Sequence, residues 1–224
     1  MTDLDREMNT HANDCLELMQ TLIEYRYQKD LHNELVHSAA KHSMLGIDVL
    51  VLLYHFAKMS VGDILEIGAF IGGSTIAIAM GARDSGKEKK IISIEPGGHL
   101  VNHRLATRDI FKDLKKNLKS FGLLERVNLV NGRSFEKNTI DAVRAMSGQI
   151  GLFLLDADGN VRRDIDCYSD RFLHRCWVVI DDYLGPAKKS GPTRDQVNEL
   201  INTGRLEPLG LYGWGTWIGR WLGK

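Results

Sequence analysis

The chain has 224 residues, of which 43% are hydrophobic and 26% are charged, a composition that predicts one globular domain with a sizeable core. Basic and acidic residues number 29 each, so the formal charge of zero argues against nucleic acid as the main partner. The polar, acidic N-terminus is unlike a signal peptide, and the longest apolar run, Ile47 to Phe56, is too short to span a bilayer. We therefore expect a soluble protein with no membrane partner.

Three cysteines, Cys15, Cys167 and Cys176, show no clustering of the metal-binding kind, and an odd number cannot all pair within the chain. Reduced thiols in a cytoplasmic protein are the simplest interpretation.

Residues 1–43 are predicted to form a helical extension, and residues 44–224 the core of the same domain. Apolar residues recur at helical spacing from Asn13 to Asn33, so we expect an amphipathic helix that packs across the sheet or against a partner subunit, as in a homodimer. A mostly apolar helix is predicted from Met44 to Met59, with Ser43 as its cap.

The segment from Asp63 to Met80 predicts a buried strand, a glycine turn and a helix. Gly68 and Gly72 allow the backbone to turn tightly and to approach a ligand closely. Ser74 is the predicted N-cap, so that free helix N–H groups point back toward the turn. Doubly wound sheets bind nucleotides at such a turn.

The acid and glycine spacing of this turn, Glu66-x-Gly68-x-x-x-Gly72, differs from the dinucleotide pattern because Phe70 occupies the place of its second glycine. A carboxylate inside the strand repels a diphosphate but tolerates a cofactor with a sulfonium and an ammonium group. The turn resembles the first motif of class I S-adenosylmethionine-dependent methyltransferases. A glycine-rich turn of another doubly wound domain is the alternative.

The second predicted strand, Ile91 to Ile94, ends at Glu95, where an acid can accept hydrogen bonds from both ribose hydroxyls of the cofactor. The alternative role for this acid is to cap the next helix, predicted from Asn102 to Phe121.

The third predicted strand, Val127 to Val130, is followed by a polar turn that contains Gly132, Ser134 and Phe135. The adenine ring would lie here, with Phe135 over its face and Ser134 at its edge.

The next two predicted strands end in acids. Ile150 to Leu155 runs directly into Asp156, and the strand that ends at Ile180 runs into Asp181 and Asp182. Carboxylates this close raise one another's pKa unless a cation lies among them, and oxygen ligands suit Mg²⁺. Ordinary capped turns are the alternative, but acids at two consecutive strand ends favour a metal site.

From Met44 to Trp221 the chain resembles the metal-dependent O-methyltransferases of the catechol O-methyltransferase type and their relatives that act on natural products and sugars. The resemblance implies a Rossmann-like α/β fold, a doubly wound, seven-stranded, mostly parallel sheet with N-terminal helices and a C-terminal antiparallel hairpin. It implies cofactor-binding roles for Glu66, Gly68, Phe70, Gly72, Ser74, Glu95, Gly132, Ser134, Phe135 and Asp156, and metal-binding roles for Asp156, Asp181 and Asp182. The family has Asp-Asn at the last two positions, so Asp182 is a departure from its pattern.

The C-terminal segment agrees with this fold, because Leu206 to Leu211 and Trp214 to Trp221 predict two strands joined by a glycine turn. Trp214, near the turn, is a candidate for the wall of an acceptor pocket. The loop from Gly185 to Thr193 is predicted to be either a lid or a structural linker.

The family's usual general base, a lysine or histidine three residues after the first metal ligand, is replaced here by Gly159. Asp158 and His174 are the candidates that we favour, with His99 and His103 as others. Alternatively no strong base is needed, because a metal ion acidifies a bound hydroxyl.

The implied activity is transfer of the methyl group of S-adenosylmethionine to a small-molecule hydroxyl, by direct displacement, with Mg²⁺ as second cofactor. The alternatives are a metal-independent methyltransferase of the same fold and a non-catalytic protein that retains the cofactor pocket.

Overall fold

The computed structural model describes residues 3–185 and 187–223, over which the chain alternates strands and helices from residue 63 onward. The helices α1 to α8 are Asp3–Tyr25, Lys29–His37, Ile47–Met59, Gly73–Asp84, Ile110–Ser120, Lys137–Met146, Val161–Tyr168 and Ala187–Asn202. The strands β1 to β7 are Asp63–Ile67, Ile91–Ile94, Val127–Val130, Ile150–Leu155, Phe172–Ile180, Leu206–Tyr212 and Thr216–Trp221.

The strands form one seven-stranded sheet in the order β3-β2-β1-β4-β5-β7-β6. Strands β1 to β5 are parallel, whereas β7 runs antiparallel to both β5 and β6. The predicted doubly wound sheet with a C-terminal hairpin is therefore confirmed. Because parallel strands share one direction, the segments that follow β1 to β5 meet at the same edge of the sheet.

Helices cover both faces of the sheet. Helices α1 to α5 contribute to the core on one face and α6 to α8 to the core on the other. Neighbouring residues of β1 point to opposite faces, so Ile64 packs in the first core and Leu65 in the second. Strand β4 is buried along its whole length, as expected of a central parallel strand.

The N-terminal helix predicted from Asn13 to Asn33 is instead two helices, α1 and α2. The chain turns between them at residues 26–28, and Leu35 of α2 is then fully buried in the core. Among the described residues, no single helix is long and apolar enough to cross a membrane, and the one pair of segments that passes the same test together is bent by 110°.

Two predicted helix caps are wrong. Helix α3 starts after Gly46, and the hydroxyl of Ser43 accepts a hydrogen bond from the Leu45 N–H in the preceding loop. Helix α4 starts after Gly72, whose φ of 96° turns the chain, so Ser74 lies inside the first turn of the helix. Its hydroxyl faces the strand rather than the helix end.

Two predicted boundaries also move. The crossover helix α5 begins at Ile110 and not at Asn102, because the Asp109 side chain caps it by accepting a hydrogen bond from the Lys112 N–H. The predicted loop from Gly185 to Thr193 is helical from Ala187 onward, and Pro192 lies within α8. Residue 186 of that loop lies outside the described residues.

Helices α3 and α4 pack with little space between their backbones. A Cβ atom at Gly81 of α4 would lie 2.1 Å from the main-chain carbonyl oxygen of Tyr54 in α3. The main chain of Tyr54 cannot move aside as the end of a flexible side chain can, so position 81 requires glycine.

We expect Gly81→Ala to lower the free energy of unfolding by about 2 kcal/mol, although alanine favours helices, because the two helices must separate. Urea denaturation measures the change. The matched control is Gly191→Ala in α8, where an added Cβ meets nothing within 4 Å beyond its chain neighbours; the free energy of unfolding should change by less than about 0.5 kcal/mol, because the gain in helix propensity is opposed by crowding against Pro192. Equal stability of Gly81→Ala and the wild type would contradict the packing argument.

Candidate functional site

The glycine turn after β1 is held against the end of β4. Gly68 has a φ of 91°, and a Cβ atom there would lie 1.7 Å from the carbonyl oxygen of Asp156. The N–H of Phe70 donates to the Glu95 carboxylate at 2.8 Å, which links the turn to the end of β2. The three strand ends at the centre of the sheet are therefore joined directly.

Glu66 lies beneath this turn and is fully buried. Its carboxylate accepts hydrogen bonds from the hydroxyls of Ser74, Thr75 and Ser93, the last two at 2.7 and 2.6 Å. Burial raises the pKa of Glu66 and the three hydroxyls oppose the rise. The predicted contacts of Glu66 and Ser74 with a cofactor are therefore not supported, since they are buried together below the turn.

A cavity of about 400 Å³, which we call the first cavity, opens above the turn. Of the predicted cofactor residues, five line it: Gly68, Glu95, Ser134, Phe135 and Asp156. The others support its walls: Gly72 and Phe70 shape the turn, and Gly132 packs against Thr139, whose Oγ1 would lie 2.3 Å from an added Cβ.

Glu95 is the acid that the sequence places beside the cofactor ribose. Its two carboxylate oxygens accept the N–H groups of Phe70 and Gly97, each at 2.8 Å. Burial raises the pKa of Glu95, and the hydrogen bonds from the two backbone N–H groups oppose this rise. Each oxygen retains a lone pair, so the carboxylate can accept hydrogen bonds from the hydroxyls of a bound diol.

The turn after β3 differs in detail from the prediction. The hydroxyl of Ser134 donates to Asp164 of α7, so its hydrogen is not available to an adenine ring. Phe135 is 38% exposed at the cavity wall, and the guanidinium of Arg163 lies 4.1 Å from the centre of its ring. The sequence did not predict this contact between Phe135, in the turn after β3, and Arg163, near the start of α7.

The three predicted metal ligands come together. One carboxylate oxygen from each of Asp156, Asp181 and Asp182 lies within 4.8 Å of the other two. Burial, followed by the charge of Asp181, raises the pKa of Asp156 to about 8. Burial also raises the pKa of Asp181, although the Thr216 hydroxyl donates to it at 2.6 Å and opposes the shift.

Lys189 of α8 joins these acids and was not predicted. Its Nζ lies 3.2 Å from Asp182 Oδ2. Burial alone would lower the pKa of Lys189, but the charges of Asp156 and Asp182 outweigh it and raise the pKa. The only sequence signal was a lysine pair shortly after the acids of β5, in a segment that was predicted to be a loop.

The acids fit a divalent cation. The site offers three hard oxygen donors on two adjacent strand ends, and it already attracts one cationic group, the ammonium of Lys189. The salt bridge from Lys189 to Asp182 shows that the cluster stabilises a positive charge.

A second cavity of about 490 Å³ borders the acids. It shares Asp156 and Lys189 with the first cavity, so the two cavities meet at these two residues. Its other walls include Met44, Leu45, Leu184 and Trp214, and the indole of Trp214 is 86% exposed.

Of the two predicted general bases, only Asp158 lines either of these cavities. Asp158 lines the first cavity, but Arg163 donates two hydrogen bonds to it, which lower its pKa. His174 lies near the start of β5, and its Nδ1 lies 2.9 Å from the Leu222 carbonyl oxygen. It is about 20 Å along the strand direction from Asp181, at the other edge of the sheet.

Comparison with known proteins agrees with this architecture. The profile of a family described as "Methyltransferase domain" matches residues 65–183, more than half of the chain. Comparison with curated protein sequences gives no significant match.

Solved structures show the same fold at low sequence identity. The O-methyltransferase NovP has a TM-score of 0.64 at 17% identity, over 81% of this chain and 83% of its own. TomG from Streptomyces achromogenes, an O-methyltransferase in complex with S-adenosylmethionine, has a TM-score of 0.63 at 17% identity, over 84% and 89%. An O-methyltransferase from Bacillus cereus, in complex with S-adenosylhomocysteine, has a TM-score of 0.60 at 15% identity, over 86% and 90%.

The sequence motif at the glycine turn, the sheet order and the family profile therefore lead to one conclusion. The chain belongs to the methyltransferase domain family, and its fold is the one found in these O-methyltransferases.

Proposed function

We propose that the protein transfers the methyl group of S-adenosylmethionine to a hydroxyl of a small molecule, and that the acids bind Mg²⁺ or a similar divalent cation. The observation that carries the proposal is that the two cavities meet at Asp156, whose carboxylate belongs to the cluster with Asp181 and Asp182. The first cavity contains the ribose-binding acid Glu95, and the second has apolar walls suited to an acceptor.

The residues of the first cavity bind and orient the nucleoside part of the cofactor. Glu95 accepts hydrogen bonds from the ribose hydroxyls, and Gly68 lines the same cavity with backbone alone. A sulfonium methyl group is electrophilic without further activation, so the main task of the protein is to align an acceptor oxygen with it.

A divalent cation held by the three carboxylates would supply Lewis-acid polarisation of the acceptor hydroxyl. The residues of the second cavity position the rest of the acceptor. Met44, Leu45, Leu184 and Trp214 provide apolar surface, which suits a planar ring or the carbon face of a sugar. We infer a catechol-like, sugar or natural-product acceptor.

Among the described residues, no histidine lines the second cavity, and the amines that line it are those of Lys188 and Lys189. Lys189 is held as an ammonium by its acids, and Asp158 is bound to Arg163. We propose that the proton of the acceptor hydroxyl passes to a carboxylate of the cluster or to water, in line with the glycine at position 159.

A metal-independent methyltransferase is the second candidate, and one contact favours it. The ammonium of Lys189 already compensates part of the negative charge at Asp182. In that case Lys189 and the acids would hydrogen-bond the acceptor directly, and activity would not respond to chelation of divalent cations.

We also propose a cytoplasmic homodimer that forms through α1. Leu16, Met19 and Ile23 repeat at helical spacing on the exposed face of α1, and each is more than half exposed. The three cysteines are free thiols, as expected in a reducing compartment. A monomeric mass in sedimentation equilibrium at micromolar concentration would refute the dimer.

Glu95→Gln tests cofactor binding. We expect it to weaken binding of S-adenosylmethionine by about 10- to 100-fold. The amide nitrogen that replaces one carboxylate oxygen cannot accept a hydrogen bond, either from the backbone N–H beside it or from a ribose hydroxyl. Calorimetric titration measures the dissociation constant. The control is Glu125→Gln, which is exposed outside both cavities and should bind like the wild type. Absence of binding to the wild type would refute the proposed function.

Titration of Mg²⁺ into the cofactor complex tests the metal site. Burial and Asp181 raise the pKa of Asp156 to about 8, so at pH 6 its proton must leave before it can ligate a cation. We expect affinity to rise about 50-fold from pH 6 to pH 8 and then level off, as one proton is released.

The same titration of Asp181→Asn should show affinity at least about tenfold weaker, since one charged ligand is lost. Asp195→Asn is the control, because Asp195 is exposed on α8 and outside the carboxylate cluster. Cofactor binding with no Mg²⁺ binding at any pH would establish the metal-independent alternative.

A further inference from the structure

Arg163 lines the cavity proposed for the nucleoside of the cofactor. It lies in the first turn of α7 and lines the first cavity, with its guanidinium 4.1 Å from the centre of the Phe135 ring. Asp158 accepts two hydrogen bonds from it, at 2.9 and 3.0 Å, one on each carboxylate oxygen. The guanidinium is therefore fixed in its plane as well as in its position.

A buried network supports this pair from below. Asp164 is fully buried and accepts hydrogen bonds from Arg163, at 2.8 Å, and from the Ser134 hydroxyl. The Tyr168 hydroxyl in turn donates to the main-chain carbonyl of Ser134. The turn after β3 and the start of α7 are thereby joined into one rigid wall of the cavity.

The order of the strands determines which part of a bound nucleoside would lie next to this wall. Glu95 follows β2, Phe135 follows the neighbouring edge strand β3, and the carboxylate cluster follows β4 and β5 on the other side of β1. A nucleoside whose ribose reaches Glu95, with its reactive end toward Asp156, must extend its base toward Phe135 and Arg163.

We propose that Asp158 is a positioning residue that holds the guanidinium of Arg163 against Phe135, beside the turn where the sequence already predicts the adenine ring. This inference rests on the proposed function. Asp158 thus has a role different from that of the general base which the sequence predicted, and it acts on cofactor binding through Arg163.

The chemistry of the two side chains favours this role. A planar guanidinium can stack on an aromatic face and present N–H groups at its edge, which a lysine ammonium cannot do. Arg163 also neutralises the buried Asp164, while Asp158, 58% exposed, binds the outer side of the same guanidinium. Loss of Asp158 should therefore free Arg163 to move without leaving a buried charge unpaired.

The test is calorimetric binding of S-adenosylhomocysteine and of adenosine to the wild type and to Asp158→Asn. We expect Asp158→Asn to weaken both ligands by the same factor, about tenfold, because the wall contacts only the purine end. The midpoint of thermal unfolding should change little. Asp166→Asn is the matched control, since Asp166 also pairs with arginines and is similarly exposed but lies outside the cavity.

Arg163→Lys is the second variant. It retains the positive charge beside Asp164 but lacks a planar group, so it should weaken both ligands about as much as Asp158→Asn. Wild-type affinity in either variant, or weaker binding of S-adenosylhomocysteine with unchanged binding of adenosine, would overturn the inference. No binding of either ligand to the wild type would instead refute the proposed function.

Once an acceptor is known, kinetics separate the two roles of Asp158. A positioning residue predicts that Asp158→Asn raises the KM for the cofactor about tenfold with kcat nearly unchanged. A general base would instead lower kcat by about 100-fold or more and leave that KM unchanged, and this result would also overturn the inference.

Discussion

The arrangement of the site depends on the buried carboxylate of Glu66. An acid with no access to solvent is costly unless its oxygens are hydrogen-bonded, and three hydroxyls from α4 and β2 meet that requirement. The same bonds fix the start of α4 against the first two strands. The glycine turn between them is therefore anchored on both sides, and Gly68 lies in contact with the end of β4.

The sheet was predictable from the sequence because its signals are local. Buried parallel strands read as short apolar runs, and glycines or acids end them abruptly, so the cores of β1 to β5 and the hairpin were placed correctly. The acids at strand ends follow from the same logic, since topology alone brings Asp156, Asp181 and Asp182 to one edge. Helix starts were predicted less well, because Ser43 and Ser74 bond to partners other than the helix ends that a cap would serve.

The remaining parts of the site depend on contacts between segments that are distant in the chain. Lys189 reaches Asp182 only because residues 187–193 are helical, whereas the sequence predicts a loop there. The salt bridge from Arg163 to Asp158 and the stacking on Phe135 depend on how α7 leaves β4. For His174 the error was to equate closeness in sequence with closeness in space. His174 precedes Asp181 by only a few residues, but the chain between them is strand β5, which carries His174 to the opposite end of the strands.

Asp156 borders both cavities, and this shared wall has a thermodynamic consequence. A ligand that changes the charge, hydration or orientation of one carboxylate changes the free energy of binding in the neighbouring cavity, and linkage requires the effect to be reciprocal. Two ligands that both perturb Asp156 are therefore coupled, and each changes the equilibrium affinity for the other by the same factor.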